Sequence, residues 1–157
     1  MTTVQAFLAG AYEQELAALR AALDAVPDSE FAVPRLGHSP AWHALHIAEW
    51  LRFFALQDLS PTYAHLGWED SAWIGEFLGT PRLTETDRKD AILTELDQVG
   101  SVLIASIRGL RDDELNDPLR SPAAPTGTRE RLAGLNLHLR HTAYHRGQLK
   151  QSLKVPV

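Results

Sequence analysis

The chain contains no cysteine, which removes disulfides, thiolate metal sites and any protein-borne thiol nucleophile from consideration. Nowhere do about twenty apolar residues follow one another, and Met1 to Gly10 lack the basic-then-apolar pattern of a secretion signal. A cytoplasmic protein with no membrane partner is therefore expected. Positive charge is also scarce: 15 Lys and Arg against 20 Asp and Glu leave a formal charge of −5. The basic residues are scattered, which argues against a nucleic-acid partner. No segment keeps the alternation of a β-strand, so a sheet is improbable. Neither a repeat nor a domain boundary is visible, and residues 1–157 read as one domain, long enough to bury roughly two-thirds of its unfolded surface. What the chain does have is histidine, seven in all, concentrated in two segments.

Leu8, Tyr12, Leu16, Leu19, Leu23 and Val26 recur at steps of four, four, three, four and three, the spacing of a helix face. The run stops at Pro27-Asp28. Ser39 and Pro40 then open a second helix, serine as the capping side chain and proline in the first turn, which should run to about Leu59. Residues 60–83 are interrupted by Pro61, Gly67, Gly75, Gly79 and Pro81 but carry Tyr63, Trp68, Trp73 and Phe77; this reads as an aromatic, partly helical connection. Thr84 opens a third helix, with Ile92, Leu96, Val99, Leu103, Ile107 and Leu110 on one face, ending near Gly109. A proline-rich loop at 117–127 precedes a last helix capped by Thr128 and reaching about Leu153. The economical packing is an all-α four-helix bundle, its order around the axis left open by the uneven loops.

At about 100° per residue, His138, His141 and His145 fall on one edge of the stripe that Leu135, Thr142, Leu149 and Leu153 define on the last helix. Residues 141 and 145, four apart, stand one above the other, a separation that one metal ion can bridge. On the second helix, Trp42, Leu45, His46, Glu49, Phe53 and Leu56 share a face from which His43 is turned away by roughly 100°. His46 is therefore the inward candidate, and facing helices would give a three-nitrogen site with open positions. His138 reads as a fourth ligand or, preferably, an outer partner of one. His38 and His65 lie in loops and are expected to face solvent. Glu49 is placed to accept a hydrogen bond from a ligating imidazole or to act as a base. No Glu-x-x-His pair of the di-iron kind occurs, so a mononuclear site is preferred.

The segment His141-Thr-Ala-Tyr-His145-Arg146-Gly147-Gln148-Leu149 and the upstream Trp42-His43-Ala44-Leu45-His46-Ile47-Ala48-Glu49 resemble the DinB/YfiT-like family of small metal-dependent four-helix bundles, which is unrelated to the DNA polymerase of similar name. The likeness spans essentially the whole chain. Carried across residue by residue, it implies His46, His141 and His145 as the metal ligands; His43 and His138 are extra. Members with assigned activities resemble thiol S-transferases or thiol-dependent isomerases that use a low-molecular-weight thiol, and members often pair as homodimers.

A cation held by neutral imidazoles keeps its charge and eases deprotonation of a bound water or thiol. Without cysteine, that thiol must be external. The leading expectation is transfer of a low-molecular-weight thiol to an electrophilic small-molecule substrate. Metal-assisted hydrolysis with Glu49 as base is the alternative enzyme, and a structural metal- or stress-responsive module the non-enzymatic one. Arg146 reads as an ion pair within the bundle or as the binder of a carboxylate on thiol or substrate, and Trp68 and Trp73 as pocket walls or plain packing. Imidazole suits several metals; zinc or nickel is expected, with iron and manganese the other options.

Overall fold

The structure, a computed structural model, describes residues 1–68 and 70–155. Helix α1 spans Val4–Asp24 and starts where the Thr3 hydroxyl accepts the Ala6 N–H at 3.1 Å. Helix α2, Pro40–Trp50, starts in the same way: the Ser39 hydroxyl accepts the Trp42 N–H at 2.9 Å, with Pro40 in the first turn. Its chain continues without a break into a π-helical turn, Leu51–Ala55. Helices α3, Lys89–Gly109, and α4, Arg131–Ser152, complete the four. No described helix is long and apolar enough to cross a membrane.

Helix α1 packs against α3 and α4, and α2 packs against the same two. The order around the bundle is therefore α1, α3, α2, α4, with α1 and α2 at opposite corners. From Ala41 to Ala55 every residue but Trp42 is buried, so α2 is the most enclosed of the helices. Between α1 and α3 the approach is close: a Cβ on Gly100 would lie 2.9 Å from Leu16 Cδ1, so the leucine tip would have to shift to admit a side chain. Tyr12, fully buried, donates its hydroxyl to the Leu135 carbonyl at 2.6 Å and ties α1 to α4.

Three boundaries differ from the sequence expectation, each for a local reason. The second helix, with its π-helical turn, stops at Ala55 rather than Leu59, because Gln57 turns to φ 58° and its side-chain amide donates to Phe54 O at 2.7 Å and to Arg120 O at 3.1 Å. Thr84 closes a turn with Asp87, its N–H donating to Asp87 Oδ2 at 2.7 Å, and α3 begins five residues later. Thr128 does not cap the last helix: it lies in strand β2, Thr128–Glu130, which pairs antiparallel with β1, Pro118–Arg120. Strands of three residues are too short to show a period in sequence.

The aromatic connection folds onto the end of α2. Trp50, Phe53, Phe54, Tyr63, Leu66, Ile74 and Phe77 form a second apolar cluster beside the main core. Its two arms meet where Tyr63 N–H donates to Phe77 O and Gly79 N–H to Tyr63 O, at 3.2 and 2.9 Å. Gly79 is required there, since a Cβ would stand 2.1 Å from the Pro61 carbonyl oxygen.

Candidate metal centre

Helices α2 and α4 are neighbours, and His46 on one meets His141 and His145 on the other. One nitrogen from each lies within 4.8 Å of the other two. His46 Nε2 is 3.2 Å from His141 Nε2, and His145 Nε2 is 3.0 Å from the same atom. His46 and His145 are buried and His141 is half-buried.

Proton placement decides what this cluster can hold. His46 Nδ1 lies 2.5 Å from the His65 carbonyl oxygen, which only accepts, so Nδ1 carries the hydrogen and Nε2 of the neutral ring is a lone pair. Burial pushes all three imidazoles down: His141 to about 4, His145 to about 3, and His46 well below its ordinary value. Nearby imidazoles push the same way. The rings are therefore neutral at pH 7, and a single Nε2 proton on His141 serves its two neighbours poorly. A cation satisfies all three lone pairs at once. The spacing agrees: metal–nitrogen bonds of about 2.0–2.1 Å put adjacent ligand nitrogens about 2.9–3.4 Å apart for bond angles from square to tetrahedral. The residues present thus fit a divalent ion.

The walls are aromatic. Trp42 stacks on His46 with ring centroids 4.4 Å apart, and His38 covers its other face at 3.5 Å. Trp50 stacks on His141 at 3.8 Å while its indole N–H donates to Leu66 O at 2.6 Å. Trp68, half-exposed with φ 59°, stands edge-on to Trp50 at 5.3 Å. These side chains and the three imidazoles line an open cavity of about 410 Å³.

Of the other residues singled out in the sequence, Trp73 packs against Phe53, Phe54 and Trp68 and does not line this cavity. Arg146 points to α1 and forms an ion pair with Glu15, the packing alternative. Glu49 neither meets a ligating imidazole nor faces the cavity. Its carboxylate accepts the Ala64 and His65 N–H groups and the His65 ring N–H, at 3.1, 2.6 and 2.9 Å. His65 itself is buried rather than solvent-facing, because Glu49 holds it and its carbonyl holds His46. His38 is exposed as expected. His138 is buried between Trp50 and Phe54, outside the three-nitrogen group, and its Nδ1 has no hydrogen-bond partner among the described residues.

His43 is buried as well, its Nδ1 3.2 Å from His145 Nδ1. The sequence reading missed Trp50 as a wall, although positions 42, 46 and 50 lie four apart and so form one ridge of a helix.

A four-helix bundle carrying three convergent imidazoles on two facing helices places the chain among small helical bundles whose core could hold a metal ion. The family model of the DinB superfamily matches residues 11–149, and the chain belongs to that superfamily. No curated protein shows significant similarity to it.

Proposed function

We propose that His46, His141 and His145 hold one divalent ion, zinc or nickel, and that the protein is a metal-dependent transferase adding an external low-molecular-weight thiol to electrophilic small molecules. The observation that carries the reading is the convergence of three neutral imidazole nitrogens on the floor of an open, aromatic-walled cavity. An ion bound there supplies positive charge that makes a thiol or water easier to deprotonate near neutral pH. The chain's own part is to orient and to enclose. His46 is fixed through the His65 carbonyl, His141 through the face of Trp50, and the indoles of Trp42, Trp50 and Trp68 offer apolar surface to a substrate.

A specific observation favours a thiol over water as nucleophile. Glu49, the base that hydrolysis called for, is spent on the loop at Ala64 and His65. A thiol, far more acidic than water, depends less on a protein base.

Elemental analysis of the purified protein is expected to give one divalent ion per chain, lost from the His46→Ala, His141→Ala and His145→Ala variants with helical content retained. Stoichiometric metal in His46→Ala overturns the ligand set. Unfolding on metal loss supports a structural role instead. Thiol consumption in the presence of electrophiles tests the reaction; activity confined to thiol-free ester or amide cleavage overturns the transferase.

A further inference from the structure

His43 has no place in the ligand set, yet it is buried at 3% exposure with Nδ1 3.2 Å from Nδ1 of His145. Two imidazole nitrogens at that distance share one hydrogen, and which ring owns it is fixed by the far side of His145. If His145 Nε2 gives its lone pair to the metal, the neutral ring carries its hydrogen on Nδ1 and donates it to His43 Nδ1. His43 must then hold its own hydrogen on Nε2. That nitrogen has no hydrogen-bond partner among the described residues. His43 also lines a second cavity, of about 460 Å³, with Arg35, Leu36, Ala143 and Gln151.

The two cavities share His38, Tyr144 and Gln148, so the pair His145–His43 runs through the wall between them. The arrangement parallels the other side of the centre, where the His65 carbonyl accepts from His46 Nδ1. One ligand is oriented by a backbone acceptor, the other by a side-chain acceptor.

We propose that His43 is a positioning residue for the metal centre: it accepts the Nδ1–H of His145, aims His145 Nε2 at the ion, and turns its own Nε2–H toward the second cavity. This rests on the metal-binding reading above. Partners of ligating histidines that fix tautomer and ring direction typically govern metal affinity by about 10- to 100-fold.

Two measurements test it. In the zinc-loaded, otherwise unsubstituted protein, long-range proton–nitrogen NMR of the histidine rings is expected to show His145 protonated at Nδ1 and His43 at Nε2; His43 protonated at Nδ1 overturns the proposal without any variant. In chelator competition with zinc, His43→Leu is expected to bind about 10- to 100-fold more weakly, and His43→Gln, whose amide oxygen still accepts, to recover most of that loss. With cobalt as the probe, the exchangeable His145 ring N–H signal should broaden away in His43→Leu while that of His46 persists. Affinity within twofold of the parent and an unchanged His145 signal overturn the role of His43 and leave the metal site standing. A parent protein that binds no zinc or cobalt overturns the metal reading itself, and this proposal with it.

Discussion

Trp50 holds His141 by its ring and Leu66 by its indole hydrogen, the first with centroids 3.8 Å apart and 24° between planes, the second at 2.6 Å. One side chain thus joins a candidate ligand on α4 to the loop that closes the cavity. Trp50→Phe keeps an aromatic face but leaves the Leu66 carbonyl without its donor, a loss of about 1–3 kcal/mol for a buried acceptor. Urea denaturation should show that decrease, and Trp50→Ala a larger one of about 3–5 kcal/mol. No change in midpoint for either variant would refute the double role.

Metal should stabilise the fold in proportion to its occupancy. With free zinc at about a hundred times its dissociation constant, the native state gains about 2.7 kcal/mol, equivalent to roughly 5–10 °C in melting temperature for a chain of this size. Calorimetry with zinc and with chelator checks this, and the shift should vanish in His141→Ala. A chelator-insensitive melting point in the parent counts against the site.

The buried, unpartnered His138 makes a prediction about acid. Burial pushes its pKa down to about 4, with Arg129 pushing the same way, so the folded ring stays neutral where the unfolded ring, with an ordinary value near 6.5, takes up a proton. The unfolded state binds more protons throughout that window, and stability must fall as pH drops from about 6.5 to about 4 and level off below. The contribution of this ring is at most about 3.5 kcal/mol. Metal-free His138→Leu should therefore lose less stability between pH 7 and pH 4 than the metal-free parent. Parallel pH–stability curves would show that His138 is not the source.

Glu49 is expected to act on the loop. In Glu49→Gln the charged acceptor shared by Ala64 N–H, His65 N–H and the His65 ring is replaced by a neutral amide. Hydrogen bonds to charged groups contribute about 1.5–3 kcal/mol, so amide exchange at Ala64 and His65 should quicken at least about tenfold. Metal stoichiometry should stay at that of the parent, since Glu49 touches no ligand. Unaltered exchange at both amides is the contrary result.

The helices were legible because their apolar residues repeat, and the three histidines because two lie four apart and the third faces inward on another apolar helix. What stayed hidden depends on contacts between distant parts of the chain. The solvent-facing expectation for His65 failed because nothing local announces that Glu49, sixteen residues earlier, will bury it. Arg146 left two options open, and only the packing of α4 on α1 brings it to Glu15. His43, turned by rotation from the centre of the His46 face, is nonetheless buried, because the neighbouring helix delivers His145 to its ring, which rotation about one helix axis does not reveal. The termination at Gln57 and the short hairpin are set by tertiary hydrogen bonds with no periodic signature.

The arrangement of the bundle also fixes when the centre can come into being. His46 rides on α2, while both of its companions ride on α4, which leaves the ribosome later, His141 following His46 by 95 residues. An unfinished chain therefore owns a single imidazole of the three and has little to offer a cation. Under the proposed ligand set, metal capture waits for α4, and a nascent chain that has made only α1 to α3 is blind to the metals around it.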